Sequence, residues 1–338
     1  MTKKNKTPFG IFTEAIGLYF SNFGKFTKYM TFPVLGQILG LILTLICTLV
    51  YSKHLPNLIE QYKIFNNFNT LVLMSVVVAI PGLIIFIKAF WEYLVAYGAI
   101  NSMLDNMLKS GKVYDFSAHT ELIKRRTASF VSLWLIIGIF SVFASFPLLW
   151  VPAGVVAIYL VLVFQVFTYE PELSPAGCIK ESFNLIKGHF LPTFMLVAMA
   201  GLLCWVFIPQ IFDYIFNILG VNKFISTGII PVMEVLPFDE INSFLSEYKL
   251  PMIKEDAAAM FVSTTIVTQI LIQYTLPLRS IMCGLWYKEL KGSSQNAEKK
   301  KTAKKRPSEK LMEESHKKLT KRLDKNILKR ASEKNDDE

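Results

Sequence analysis

Long apolar stretches without an ionised side chain recur along the chain and set its architecture. Lys28 and Lys53 enclose 24 uncharged residues, and Lys63 and Lys88 another 24. Arg126 and Glu170 enclose 43, Lys187 and Asp213 enclose 25, and Asp256 and Arg279 enclose 22. A charge near the bilayer centre costs at least about 2.5–3.5 kcal/mol, and about 20 apolar residues cross the bilayer as a helix. Four runs therefore predict one span each. The longest predicts two, turning near Pro147 and Pro152. The expected spans are 29–51, 70–97, 128–147, 150–169, 190–212 and 257–279. They lack the alternation of a membrane barrel strand, and Pro33, Gly36, Gly40, Pro81 and Gly82 are tolerable in lipid-embedded helices. The predicted fold is an all-α integral membrane protein with six transmembrane helices.

Composition agrees with that pattern. Of 338 residues, 52% are hydrophobic and only 18% charged, against about a quarter charged in soluble domains. This excludes a disordered chain, a secreted disulfide scaffold and an ordinary cytosolic enzyme. Charge also fixes an orientation. Lys and Arg on alternate sides of the predicted spans number 31 against 5. The positive-inside rule then puts both termini and the 98–127 and 170–189 connections in the cytoplasm of a cell with a cytoplasmic membrane as its destination. The first apolar run starts near residue 31 and has no A-x-A site beside it, so the first span is expected to act as an uncleaved signal-anchor.

An internal repeat organises the same spans. Residues 7–23 (TPFGIFTEAIGLYFSNF) align with 174–190 (SPAGCIKESFNLIKGHF) through Pro8/Pro175, Gly10/Gly177, Glu14/Glu181, Leu18/Leu185 and Phe23/Phe190. Residues 114–130 fit the register through Phe9/Phe116, Glu14/Glu121, Ile16/Ile123 and Phe23/Phe130. Each copy precedes a pair of spans, which predicts three units of amphipathic helix plus transmembrane hairpin. Thr7 and Ser174 are suited to cap these short helices, with Pro8 and Pro175 at the first helical position. In the first copy Ile11, Phe12, Ala15, Ile16, Tyr19 and Phe23 share a face, as expected of a helix in the headgroup plane that leads into the next span. Packing beneath the bundle is preferred over lipid sensing as its role.

The segment E-x-x-x-S-x-x-x-x-x-K-E-S-x-x-L-x-K-G-x-F (Glu170 to Phe190), the opening EAIGLYFSNF (Glu14–Phe23) and the closing LWYKELK (Leu285–Lys291) resemble the membrane domain of bacterial glycerophosphoryl diester phosphodiesterase and its relatives. The likeness covers roughly 7–291. In that enzyme the chemistry belongs to a separate soluble domain with a metal and catalytic His and Glu residues. Here residues 292–338 are a lysine-rich tail, and His54, His119, His189 and His316 are scattered, none of them opening an H-R pair. The resemblance implies a membrane module without phosphodiesterase activity.

Other chemistry is thinly signalled. There is no Walker loop, H-E-x-x-H or C-x-x-C. Cys47, Cys178, Cys204 and Cys283 have no ligand spacing and are expected to be small apolar filler. No cofactor or metal is expected. Six embedded polar residues are candidates: Lys88 and Glu92, four apart on one face; Asp213 at the outer end of the fifth span; Gln269 and Gln273; and Arg279. One reading makes them a pathway for an ion, a proton or a headgroup in a small transporter. The other, preferred because transport would need more embedded charge, puts Lys88, Glu92 and Arg279 near the cytoplasmic interface, snorkelling to phosphates, and has the glutamines bonding between helices. The outer 213–256 connection is expected to form a cap with one short helix, Asp239–Leu250. The tail holds 15 basic and 9 acidic residues. It suits anionic lipid, and with no aromatic residue after Tyr287 it does not suit specific nucleic-acid binding. It is expected to be disordered, or partly helical from Ser308. These observations predict a non-enzymatic multi-pass protein with a role in lipid interaction, membrane scaffolding or partner binding.

Overall fold

A computed structural model describes residues 6–113, 115–233, 236 and 238–295. The chain divides into Lys6–Tyr287 and a second unit, Lys288–Glu338 with Met1–Asn5. Within the second unit, residues 288–295 are described, as helix. The expected disorder and helix of the remaining tail lie outside the described residues.

No strand occurs among the described residues, and six helices are long and apolar enough to cross a membrane. They are Phe23–Gln61, Phe68–Ser110, Thr127–Ala144, Pro147–Tyr169, Phe190–Ile218 and Glu255–Gln295. The all-α six-span architecture is the one the charge pattern predicts, but several bounds move. The first, second and sixth helices overrun the expected 29–51, 70–97 and 257–279 by a turn or more. Charge is excluded from lipid, not from a helix, so Lys53, Lys109 and Lys288 simply continue the helices beyond the apolar segment.

Short helices join the long ones. Helix α1 is Pro8–Ser21 and α2 is the first span, Phe23–Gln61. Helix α3 is Phe68–Ser110, α4 Phe116–Lys124 and α5 Thr127–Ala144. The fourth span starts as a 3₁₀ turn, Pro147–Leu149, and is split into α6 (Trp150–Leu160) and α7 (Val163–Tyr169). Helix α8 is Pro175–Ile186. The fifth span runs as α9 (Phe190–Gly201), a π-helical segment (Leu202–Phe207) and α10 (Ile208–Ile218). Beyond it lie α11 (Val221–Met233) and α12 (Phe238–Glu247), and α13 (Glu255–Tyr274) opens the sixth span. Helix α12 overlaps the short helix expected over Asp239–Leu250 in the 213–256 connection. Helix α11 was not expected: this apolar helix packs against α13 with Asn222 and Ser226 buried.

The caps follow local chemistry. The Thr7 and Ser174 hydroxyls accept from the Gly10 and Gly177 amides at 3.2 Å, with Pro8 and Pro175 one position on. Asp115 caps α4 by accepting from the Ala118 amide at 3.0 Å. The expected apolar face of α1 proves narrower than the six residues named. Ile11, Ala15 and Tyr19 are buried, whereas Phe23, already turning into α2, is exposed. Tyr19 donates to the Tyr274 carbonyl at 3.3 Å, so α1 is pinned to the end of α13.

Packing is unevenly distributed along the spans. Their apolar windows are only 11–28% buried. An intimate backbone seam joins α2 to α3. A Cβ on Gly40 would lie 2.5 Å from the Phe86 amide nitrogen, and one on Gly82 would strike the Thr44 backbone. Small residues at these positions let the two backbones touch. The densest core instead surrounds the C-terminal half of α3 (Ala96, Ala99, Ile100, Met103, Leu104, Met107), with Leu162 to Phe167, Cys178, Ile186 and Leu278 to Met282 against it.

Candidate functional site

Two features meet where that core joins the spans, a polar network and a cavity. Asn101 of α3 organises the network. Its Oδ1 accepts from Gln165 Nε2 at 3.2 Å and Ser280 Oγ at 2.7 Å, and its carbonyl accepts from Tyr169 at 2.8 Å. Gln165 also donates to the Tyr97 hydroxyl at 3.2 Å. Asn101, Gln165 and Ser280 are buried, so these bonds fix how α3, α7 and the sixth span register against one another. Below them Tyr169 and Tyr287 stack at 5.1 Å, and Tyr287 donates to Glu170 at 2.7 Å.

The cavity, about 200 Å³, lies between α3, α6–α7, α9 with the π segment, and the sixth span. Its walls are mostly apolar, with Leu196, Ala200, Gly201, Leu276 and Met282 among them, and Arg279 supplies the charge. The Arg279 Nη2 donates to the Ile272 carbonyl at 3.1 Å and lies 3.4 Å from the Tyr93 hydroxyl. Its Nε is buried without a hydrogen-bond partner, and among the described residues no carboxylate pairs with it. Trp205, from the π segment, sits at the rim, 58% exposed, with its ring centroid 6.0 Å from the guanidinium carbon.

Arg279 turns back along its own helix. Helical side chains lean toward the N-terminus of their helix. Arg279 follows the apolar segment of the sixth span, so it leans back alongside that segment, toward Ile272, rather than away from it.

The other candidates stand in separate surroundings. Lys88 is exposed, with its nitrogen 5.6 Å from the Phe32 ring centroid. Glu92 is bonded to Lys124 of α4 at 3.2 Å rather than to Lys88. Asp213 accepts from Asn222 Nδ2 at 2.8 Å and from Asn217 Nδ2 at 3.1 Å, and Ser263 of α13 donates to the Asn222 carbonyl at 2.9 Å. Gln273 accepts from Gln37 Nε2 at 3.3 Å, an interhelical bond of the kind expected, whereas Gln269 is exposed. No hydrogen bond or ion pair among the described residues links any two of the six.

Sequence reasoning missed Asn101, Gln165, Tyr93, Trp205 and Asn222. Asn101 and Gln165 did leave a signal, since each interrupts an apolar run.

On the short helices α1, α8 and α4, burial shifts one group each. Burial raises the Tyr19 phenol to about 12, with a smaller contribution from Cys204. Burial also raises the Cys178 thiol, mainly, so it is held as an inert thiol and not as a thiolate. Burial lowers the His119 imidazole against an opposing pull from Asp115. The ring lies 2.6 Å from Ser102 Oγ and helps dock α4 onto α3.

No protein-family model, no curated protein and no solved structure matches this chain. The functional reading therefore rests on geometry.

Proposed function

We propose that the chain is a non-enzymatic, lipid-interacting protein of the cytoplasmic membrane with both termini in the cytoplasm. The observation that carries this reading is the 11–28% burial of the six apolar windows. Few residues of these windows are fully buried, so much of the rest can meet acyl chains, while the tight core and its polar network lie at one end. The Lys and Arg asymmetry of 31 against 5 supports the orientation. The lysine-rich tail supports contact with anionic lipid. The separate surroundings of Lys88, Glu92, Asp213, Gln273 and Arg279 favour this reading over a transport path. Within it, α1, α4 and α8 are the lead-in helices of three hairpin units, an arrangement suggested by the shared caps of α1 and α8. The same arrangement is what the resemblance to the phosphodiesterase membrane domain implies.

The test is a lipid inventory. The protein is extracted with its surrounding bilayer into polymer discs, and its lipids are compared with those of the bulk membrane. Enrichment of one anionic class is expected. A composition equal to the bulk would contradict the proposal.

A further inference from the structure

We infer that the Arg279 cavity is a binding site for one anionic glycerophospholipid, drawn from the leaflet that faces the basic side of the protein. Its phosphate would sit on the guanidinium, and part of one acyl chain would fill the apolar pocket. The inference deepens the lipid-interaction reading and rests on it.

Three observations support it, beginning with the charge. Arg279 is a cation at the end of a 22-residue uncharged run, its Nε is buried without a partner, and no carboxylate of the described residues pairs with it. Its Nη2 is taken by the Ile272 carbonyl and Tyr93, but no carboxylate among the described residues balances the charge, and a partly desolvated guanidinium in that state is stabilised by an external anion such as a phosphate.

The second observation is the shape and lining of the space. Leu196, Ala200, Gly201, Leu276 and Met282 offer an acyl chain a largely apolar lining. At about 200 Å³ the cavity is smaller than the roughly 300–1,000 Å³ of sites that enclose a whole small molecule. It therefore fits part of one chain, with the rest of the lipid remaining in the bilayer.

The third is the wall facing Arg279. Leu202–Phe207 is a π-helical segment, a rare deviation found frequently at functional sites. It follows directly on the small pair Ala200 and Gly201, and it carries Trp205 to the rim, where an indole suits the boundary between chain and headgroup. An arginine alone or a π turn alone would carry little. Here both line one cavity.

The experiment uses the full chain in nanodiscs, delipidated and returned to phosphatidylcholine with phosphatidylglycerol as the probe. Native mass spectrometry is run in enough ammonium acetate to screen the tail. Wild type is expected to retain one phosphatidylglycerol in preference to phosphatidylcholine. Arg279→Gln should reduce that preference by about tenfold or more. Arg279→Lys should retain part of it, because the charge survives without the fork. Ala200→Phe fills the pocket and spares the cation, and it should also lose the bound lipid. That variant keeps the test decisive if Arg279→Gln does not fold.

If wild type retains phosphatidylglycerol and the variants retain it equally, this site is overturned while the lipid-interaction reading stands. If wild type retains no lipid at all, that reading falls as well. Displacement of the bound lipid by oleate or inorganic phosphate at concentrations where phosphatidylglycerol cannot compete would overturn the phospholipid as occupant.

Discussion

Replacing Gly40 with alanine should separate the first two spans. A Cβ there would lie 2.5 Å from the Phe86 nitrogen, 2.8 Å from the Phe86 Cα and 2.8 Å from the Gly82 carbonyl oxygen. Carbon atoms prefer about 3.5–4.0 Å, so α2 and α3 must move apart by roughly 1 Å along the seam. All three obstacles are backbone atoms, which cannot rotate out of the way. Overpacking of this kind costs about 1–3 kcal/mol, and alanine in a helix returns about 0.5–1 kcal/mol relative to glycine. The net expectation is a loss of about 0–2.5 kcal/mol, toward the upper end because backbone atoms cannot yield. Gly138 on α5 is the control, because a Cβ there meets nothing within 4 Å. Gly138→Ala should be neutral or slightly stabilising. Equilibrium unfolding of both variants in mixed micelles, by detergent titration or heat, gives the comparison. The reasoning is refuted if Gly40→Ala is as stable as wild type, or if the two variants lose the same amount.

Three further outcomes are expected. Asn101→Leu removes the oxygen that serves Gln165 and Ser280 and should cost about 1–3 kcal/mol in the same unfolding assay; an unchanged midpoint would argue that the network does not register the helices. Asn222→Ala removes the amide that bridges Asp213 and Asn217 and should speed amide exchange in α11, leaving α3 unaffected; equal change in both helices would speak against a local role. Because burial holds the His119 pKa below its ordinary 6.5, the undocked ring takes up a proton first as pH falls. The stability it lends to α4 docking is therefore complete well above 6.5 and is lost progressively as pH falls through that value. Exchange across Phe116–Lys124, corrected for intrinsic rates, should quicken between about pH 7.5 and about pH 5.5, and constant protection would contradict the assignment.

The spans were legible because charge exclusion from lipid acts on every residue of a run. Their ends were less so. Lys53 halts an apolar run without halting a helix, and nothing in the local pattern marks Gln61 as the stop. The caps at Thr7 and Ser174 could be read because capping depends on one hydroxyl and its next few neighbours. The core around Asn101 could not, since it requires α3, α7 and the sixth span to meet, and hydropathy contains no pairing information. Arg279 shows the same limit. Its position at the end of an uncharged run was clear, but its direction depends on the backward lean of helical side chains and on a space left by Ala200, Gly201 and a π turn. Glu92 shows it too, since its partner Lys124 comes from α4, which spacing along the sequence does not bring near.

The most direct measurement of the central claim is the proximity of the Arg279 guanidinium to lipid phosphorus. Solid-state NMR of the arginine-labelled full chain in phosphatidylglycerol-containing bilayers can record guanidinium nitrogen signals with and without phosphorus dephasing. The Arg279 signal is identified by its loss in Arg279→Lys. The account predicts that this signal is strongly dephased, and that the effect disappears in Ala200→Phe. An Arg279 signal untouched by phosphorus in the wild-type protein would contradict it.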